Sequence, residues 1–121
     1  MSNDKKVEWL LRIGVAGEFL GHGLLAIGKK ADWIKWIGQM IHTSNSASTS
    51  LLLFIGCFDI IVAAIVLLKP VKPILLWAAF WGFWTALVRP LVGVGWLDFI
   101  ERFANWAAPL ALYFFYKNQN K

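Results

Sequence analysis

Several ionisable side chains of this sequence fall inside long apolar blocks. Glu18 and His22 stand four residues apart in the first block and so share one face of a helix. Asp59 lies near the middle of the second block, and Arg89 near the end of the third. The fourth carries Asp98, Glu101, Arg102, Asn105 and Pro109 within one helical stripe. A charge at the centre of a membrane span costs roughly 2.5–3.5 kcal/mol on insertion scales and is usually retained for a purpose. At a rise of about 1.5 Å per residue, His22 and Asp59 fall roughly 10–12 Å below one boundary of the apolar layer. Glu101, Arg102 and Asn105 fall roughly 7–14 Å below it, with Arg89 somewhat shallower. The spacing therefore predicts one polar site at a common depth, built from Glu18, His22, Asp59, Arg89, Glu101, Arg102 and Asn105.

Such a set can hydrogen-bond, exchange protons and orient carbonyl or anionic groups, for which a guanidinium is well shaped. Its charges do not balance. Asp98 and Arg102, four apart, are expected to pair near the surface, which leaves Glu18, Asp59 and Glu101 with Arg89 and His22. A protonated His22, a neutral acid, or a cationic or basic ligand would close the difference. Trp77, Trp81 and Trp84 lie on one face, suited either to packing between helices or to stacking against a flat ligand, and Trp81 is assigned to the ligand site. A single intramembrane histidine with carboxylates falls short of the three or four good ligands of a transition-metal site. His42 is expected at the surface, too far away to share a haem with His22. Cys57 is the only cysteine, which excludes an internal disulfide or a CxxC pair, and it is expected to pack as a small buried apolar residue. With neither a nucleotide-binding glycine motif nor a nucleophile–base pair, the chain is not expected to be an enzyme on its own.

The elements that must position these groups follow from hydropathy. The 121 residues are 59% hydrophobic with a mean hydropathy of +0.60, in blocks rather than dispersed. A spanning helix needs roughly 20 mainly apolar residues. Spans are expected at about 7–28, 51–68, 74–92 and 96–116, the last with a kink at Pro109. The fold class is thus all-α, a transmembrane four-helix bundle in a single domain. Residues 31–42 are too short to span and amphipathic at helical spacing, which predicts an interfacial helix. A polar linker is expected at 43–50, and Lys69-Pro70-Val71-Lys72-Pro73 forms a tight turn.

The net charge of +5 comes from lysines singly or in pairs at the block edges, which fits membrane flanks and gives no continuous stripe for nucleic acid. Lys5, Lys6, Lys69, Lys72, Lys117 and Lys121 collect on the side of the termini, so both termini are expected to be cytoplasmic, in a bacterial inner membrane. Within the first span, Gly14, Gly17, Gly21 and Gly28 form a stripe expected to admit a neighbouring backbone, with Glu18 on its flank facing protein. Arg12 projects to nearly the opposite side. It is expected to snorkel to the surface or to pair with Glu8, without further role.

Arg12-Ile13-Gly14, then Phe19-Leu20-Gly21-His22-Gly23, then Lys29, and later Gly56-Cys57-Phe58-Asp59 with its aliphatic run, resemble the DoxX-like family of small four-span membrane proteins. The similarity covers roughly the first ninety residues. Aspartate stands at 59 where the family usually has glutamate, and the lysine after the His-Gly pair is displaced to Lys29. The resemblance implies an accessory membrane subunit of a redox system, of the kind that serves thiosulfate:quinone oxidoreductase or methylamine dehydrogenase maturation. Only Arg12, His22, Gly23 and Asp59 carry it over residue by residue.

The expected function is an accessory membrane protein whose polar pocket binds a small molecule, with a quinone as candidate, or a partner subunit or second copy. A proton or solute transporter is the alternative, as is an assembly protein whose polar groups only hold helices together.

Overall fold

The computed structural model describes residues 2–119 and is all-helical, with no strand among them. Its helices are α1 (Asn3–Ile27), α2 (Ala31–Ile41), α3 (Asn45–Leu68), α4 (Lys72–Leu91), α5 (Trp96–Ile100) and α6 (Ala104–Gln119). Three of them, α1, α3 and α4, are long and apolar enough to cross a membrane. Their outward faces carry large apolar residues such as Leu10, Ile13, Phe54, Ile61 and Phe80, as a lipid-facing surface would.

Two boundaries differ from the sequence-based expectation because small polar residues cap helices as readily as they form linkers. Ser2 accepts a hydrogen bond from the Lys5 N–H at 3.2 Å, which starts α1 before its apolar run. Ser44 does the same for Ala47 at 3.1 Å, and Thr49 donates back to the Asn45 carbonyl at 2.7 Å. The expected linker at 43–50 is therefore largely the opening of α3.

The expected fourth span is interrupted. After α5, residues 101–103 tighten into turns in which Arg102, Phe103 and Asn105 donate to carbonyls only three residues back. The turn keeps Phe99, Phe103 and Trp106 in edge-to-face or tilted contact around Phe83. Pro109 sits inside α6 and has no N–H for the Asn105 carbonyl. That carbonyl lies instead against Gly82 of α4, where any Cβ would run into it.

Packing is most extensive between α1 and α3, then between α4 and α6, with α1 and α6 joining the two pairs. α3 and α4, though consecutive, touch little. The core gathers toward the end that holds the α3–α4 turn: Val15, Ala16, Phe19, Val62, Ala63, Val66, Leu75, Ala78 and Leu112. At the other end α1 and α3 meet backbone to backbone. A Cβ on Gly23 would lie 2.9 Å from the Gly56 carbonyl oxygen, and one on Gly56 would lie 2.9 Å from that of Gly23.

The expected glycine stripe has the opposite orientation. Gly14, Gly17 and Gly21 are exposed, and a Cβ on any of them would have no neighbour within 4 Å. Gly28 meets only carbonyls of its own helix. Cys57, expected to be buried, is also exposed. Gly56→Ala is therefore expected to destabilise by about 1–3 kcal/mol through overpacking. Gly17→Ala should be neutral or mildly stabilising, since it removes only backbone freedom. Denaturation midpoints in mixed detergent micelles would compare the two, and equal effects would contradict this packing.

Arg12, expected at the surface, is buried on the packed side of α1. Its Nε donates to the Val66 carbonyl at 3.3 Å and its Nη2 to the Leu67 carbonyl. These carbonyls are orphans of the α3 C-terminus, because the residue that would serve Val66 is Pro70. Arg12 also pairs with Glu8 at 3.4 Å, as the four-residue spacing allowed, and covers the Trp9 ring at 4.0 Å. Glu8 in turn accepts from the Tyr116 hydroxyl at 2.5 Å, which ties α6 to α1.

Candidate functional site

α3 and α4 touch little, and between their halves remote from the shared turn lies a cavity that α2 borders. The amphipathic pattern of α2 explains its position. Trp33, Trp36, Ile37 and Met40 turn inward while Asp32, Lys35 and Gln39 stay exposed. The cavity, open on one side, is about 200 Å³. Leu52, Ile55 and Asp59 line it from α3, and Trp81, Trp84, Thr85, Val88 and Arg89 from α4. His22 and Ala26 of α1 close the back.

The roof is held by aromatic contacts. Trp33 meets the His22 ring edge-on at 5.5 Å, and the Arg89 guanidinium lies 5.2 Å from the Trp36 ring centre. Gly38 of α2 lies over Ser48, which is fully buried. Of the tryptophan stripe on α4, Trp77 and Trp81 stack at 5.4 Å and 15°. Trp77 is committed to packing with Phe58, whereas Trp81 and Trp84 face the cavity.

Polar groups in this apolar setting are few and incompletely matched. Arg89 is 5% exposed and donates to the Thr85 carbonyl at 2.6 Å, one turn back on its own helix. Asp59 is 3% exposed. Among the described residues no ion pair joins it to Arg89, and no hydrogen bond reaches its carboxyl or the His22 ring. Buried charges in proteins are normally paired. Here an acid and a base border one cavity and remain apart.

Of the residues the sequence singled out, His22, Asp59, Trp81 and Arg89 line this one cavity. Glu18 is half-buried one turn away on α1 and does not line the cavity. Glu101, Arg102 and Asn105 do not join it either. Glu101 is exposed and Arg102 half-buried, and the two pair with each other at 2.5 Å. Arg102 reaches only the backbone carbonyl of Asp98, at 3.2 Å, so the expected Asp98–Arg102 side-chain pair is replaced. Asn105 contributes its backbone to the contact with Gly82.

Sequence reasoning missed Trp33, Trp36 and Thr85. The three- and four-residue spacing of Trp33, Trp36, Ile37 and Met40 was the available signal that α2 covers something. No group of three or more His, Cys, Asp or Glu among the described residues is placed to hold a metal ion. The arrangement can hydrogen-bond the polar head of a flat, largely apolar molecule while tryptophans enclose its body. Comparison with protein-family models, curated proteins and solved structures finds no match to this chain.

Proposed function

We propose that this chain is an accessory subunit of a membrane redox system, as its resemblance to DoxX-like proteins implies. In this reading its cavity holds a lipophilic small molecule with a flat polar head, a quinone being the leading ligand. The carrying observation is that Asp59 and Arg89, both buried, border one tryptophan-lined cavity without pairing. A ligand that engages both would offset the cost of burying them. The loose seam between α3 and α4 would admit such a molecule sideways from the bilayer. In this proposal α5 and α6 together make a fourth crossing. The lysines around the termini and the α3–α4 turn mark the cytoplasmic side of a bacterial inner membrane. A through-going conduit is not favoured, since the apolar core closes the chain below the cavity.

The test is binding of a short-tailed benzoquinone to the full chain in lipid nanodiscs, read by quenching of the cavity tryptophans. Arg89→Gln is expected to weaken binding about tenfold or more, the worth of a hydrogen bond to a charged group. His22→Ala should weaken it less. Unchanged binding in both variants would remove the ligand from this cavity.

A further inference from the structure

α2 borders the cavity yet is weakly fastened to it. None of its residues is buried, and its inward side chains Trp33, Trp36, Ile37 and Met40 are half-buried. Among the described residues no side chain of α2 makes a hydrogen bond or ion pair, and the buried Trp33 indole N–H has no acceptor. A segment with so few ties belongs to the low-stability end of a structure. Both of its connections also pass through a non-glycine residue in the left-handed backbone region, Lys29 at φ 59° and His42 at φ 54°. Among the described residues no other non-glycine residue has a positive φ. Side chains disfavour that region, and residues held in it cluster at switch segments.

The apolar face of α2 has a second place to go. Trp33, Trp36, Ile37 and Met40, with Lys29, Lys30 and Lys35 around them, form the pattern of a helix lying in a bilayer interface. Swinging outward exchanges one apolar surrounding for another. From this, and resting on the pocket reading above, we infer that α2 is a hinged lid. It turns about Lys29 and His42 between the cavity and the bilayer interface, and a ligand's head group passes the α3–α4 seam only while α2 is out. Ligand contacts with Trp33 and Trp36 form only in the closed position, so a bound molecule holds the lid shut.

The test locks the lid. A Cβ on Gly38 would lie 3.5 Å from Ser48 Oγ, so a disulfide between the two positions is within reach. Gly38→Cys with Ser48→Cys, in a Cys57→Ala background and in nanodiscs, is oxidised and mixed with a short-tailed benzoquinone. The ring is fully substituted, so thiols do not add to it. Tryptophan quenching is expected to show association and dissociation both slowed about tenfold or more against the two single-cysteine variants, with affinity changed less than about threefold. Rates equal to those of the single variants would overturn the lid and leave the pocket standing. No binding by the wild-type chain would overturn both.

Where the crosslinked protein does not fold, Ser48→Cys alone in the same background decides. Its thiol, covered by α2, should react with a small water-soluble thiosulfonate, and about tenfold more slowly with quinone present at about ten times its Kd. A thiol that does not react, or reacts at one rate with and without bound quinone, would overturn the lid.

Discussion

Gly82→Ala is expected to lower stability by about 3 kcal/mol, the upper end of what overpacking costs. The new methyl group would meet the Asn105 carbonyl and the Trp106 nitrogen, which are backbone atoms with no rotamer to change. The contact has a cause in the sequence. Pro109 leaves the Asn105 carbonyl without its helical partner, and Gly82 offers α4's side-chain-free surface to receive it. α4 and α6 would have to separate, and the Phe83–Phe99–Phe103–Trp106 cluster would loosen with them. Denaturant titration in micelles, followed by circular dichroism, measures the loss. A change within about 0.5 kcal/mol, the ordinary range for a benign surface substitution, would refute the crossing.

Arg12→Met is expected to cost a similar amount, about 3 kcal/mol, for a different reason. The methionine keeps the apolar stem but strands the carbonyls of Val66 and Leu67 and weakens the hold on Glu8. A second substitution separates this from a general loss of packing. Pro70→Ala restores a backbone N–H where α3 lacks one, so Arg12→Met should cost clearly less in that background. Strictly additive effects would show that Arg12 is not serving the end of α3.

Apolar length makes α1, α3 and α4 legible in the sequence, and the period of residues 31–41 makes α2 legible. The common level of His22, Asp59 and Arg89 follows from depth alone, since a rise per residue fixes level whatever the rotation. Rotation is the harder quantity. Glycine spacing shows where a backbone can approach, not where it does, and the stripe of Gly14, Gly17 and Gly21 faces out although its spacing suits an inward seam. The packed side of α1 is the one bearing Arg12, Val15, Phe19 and Gly23. A buried arginine there is unfavourable without partners, and the orphaned carbonyls of α3 that supply them are not visible from α1 alone. Glu101 and Arg102 escape the site for a third reason. Depth counting assumes an unbroken helix, and the turn at 101–103 cancels the count.

The sparse contact between α3 and α4 has a mechanical consequence. Beyond the Phe58–Trp77 contact, few side chains interlock to set the width of the cavity. Two levers fixed at the Lys69–Lys72 turn set it, braced at the opposite end by α2. Lateral pressure from surrounding acyl chains bears directly on those levers. In a bilayer the volume of the cavity is therefore a joint property of the chain and of the thickness and order of the lipid around it.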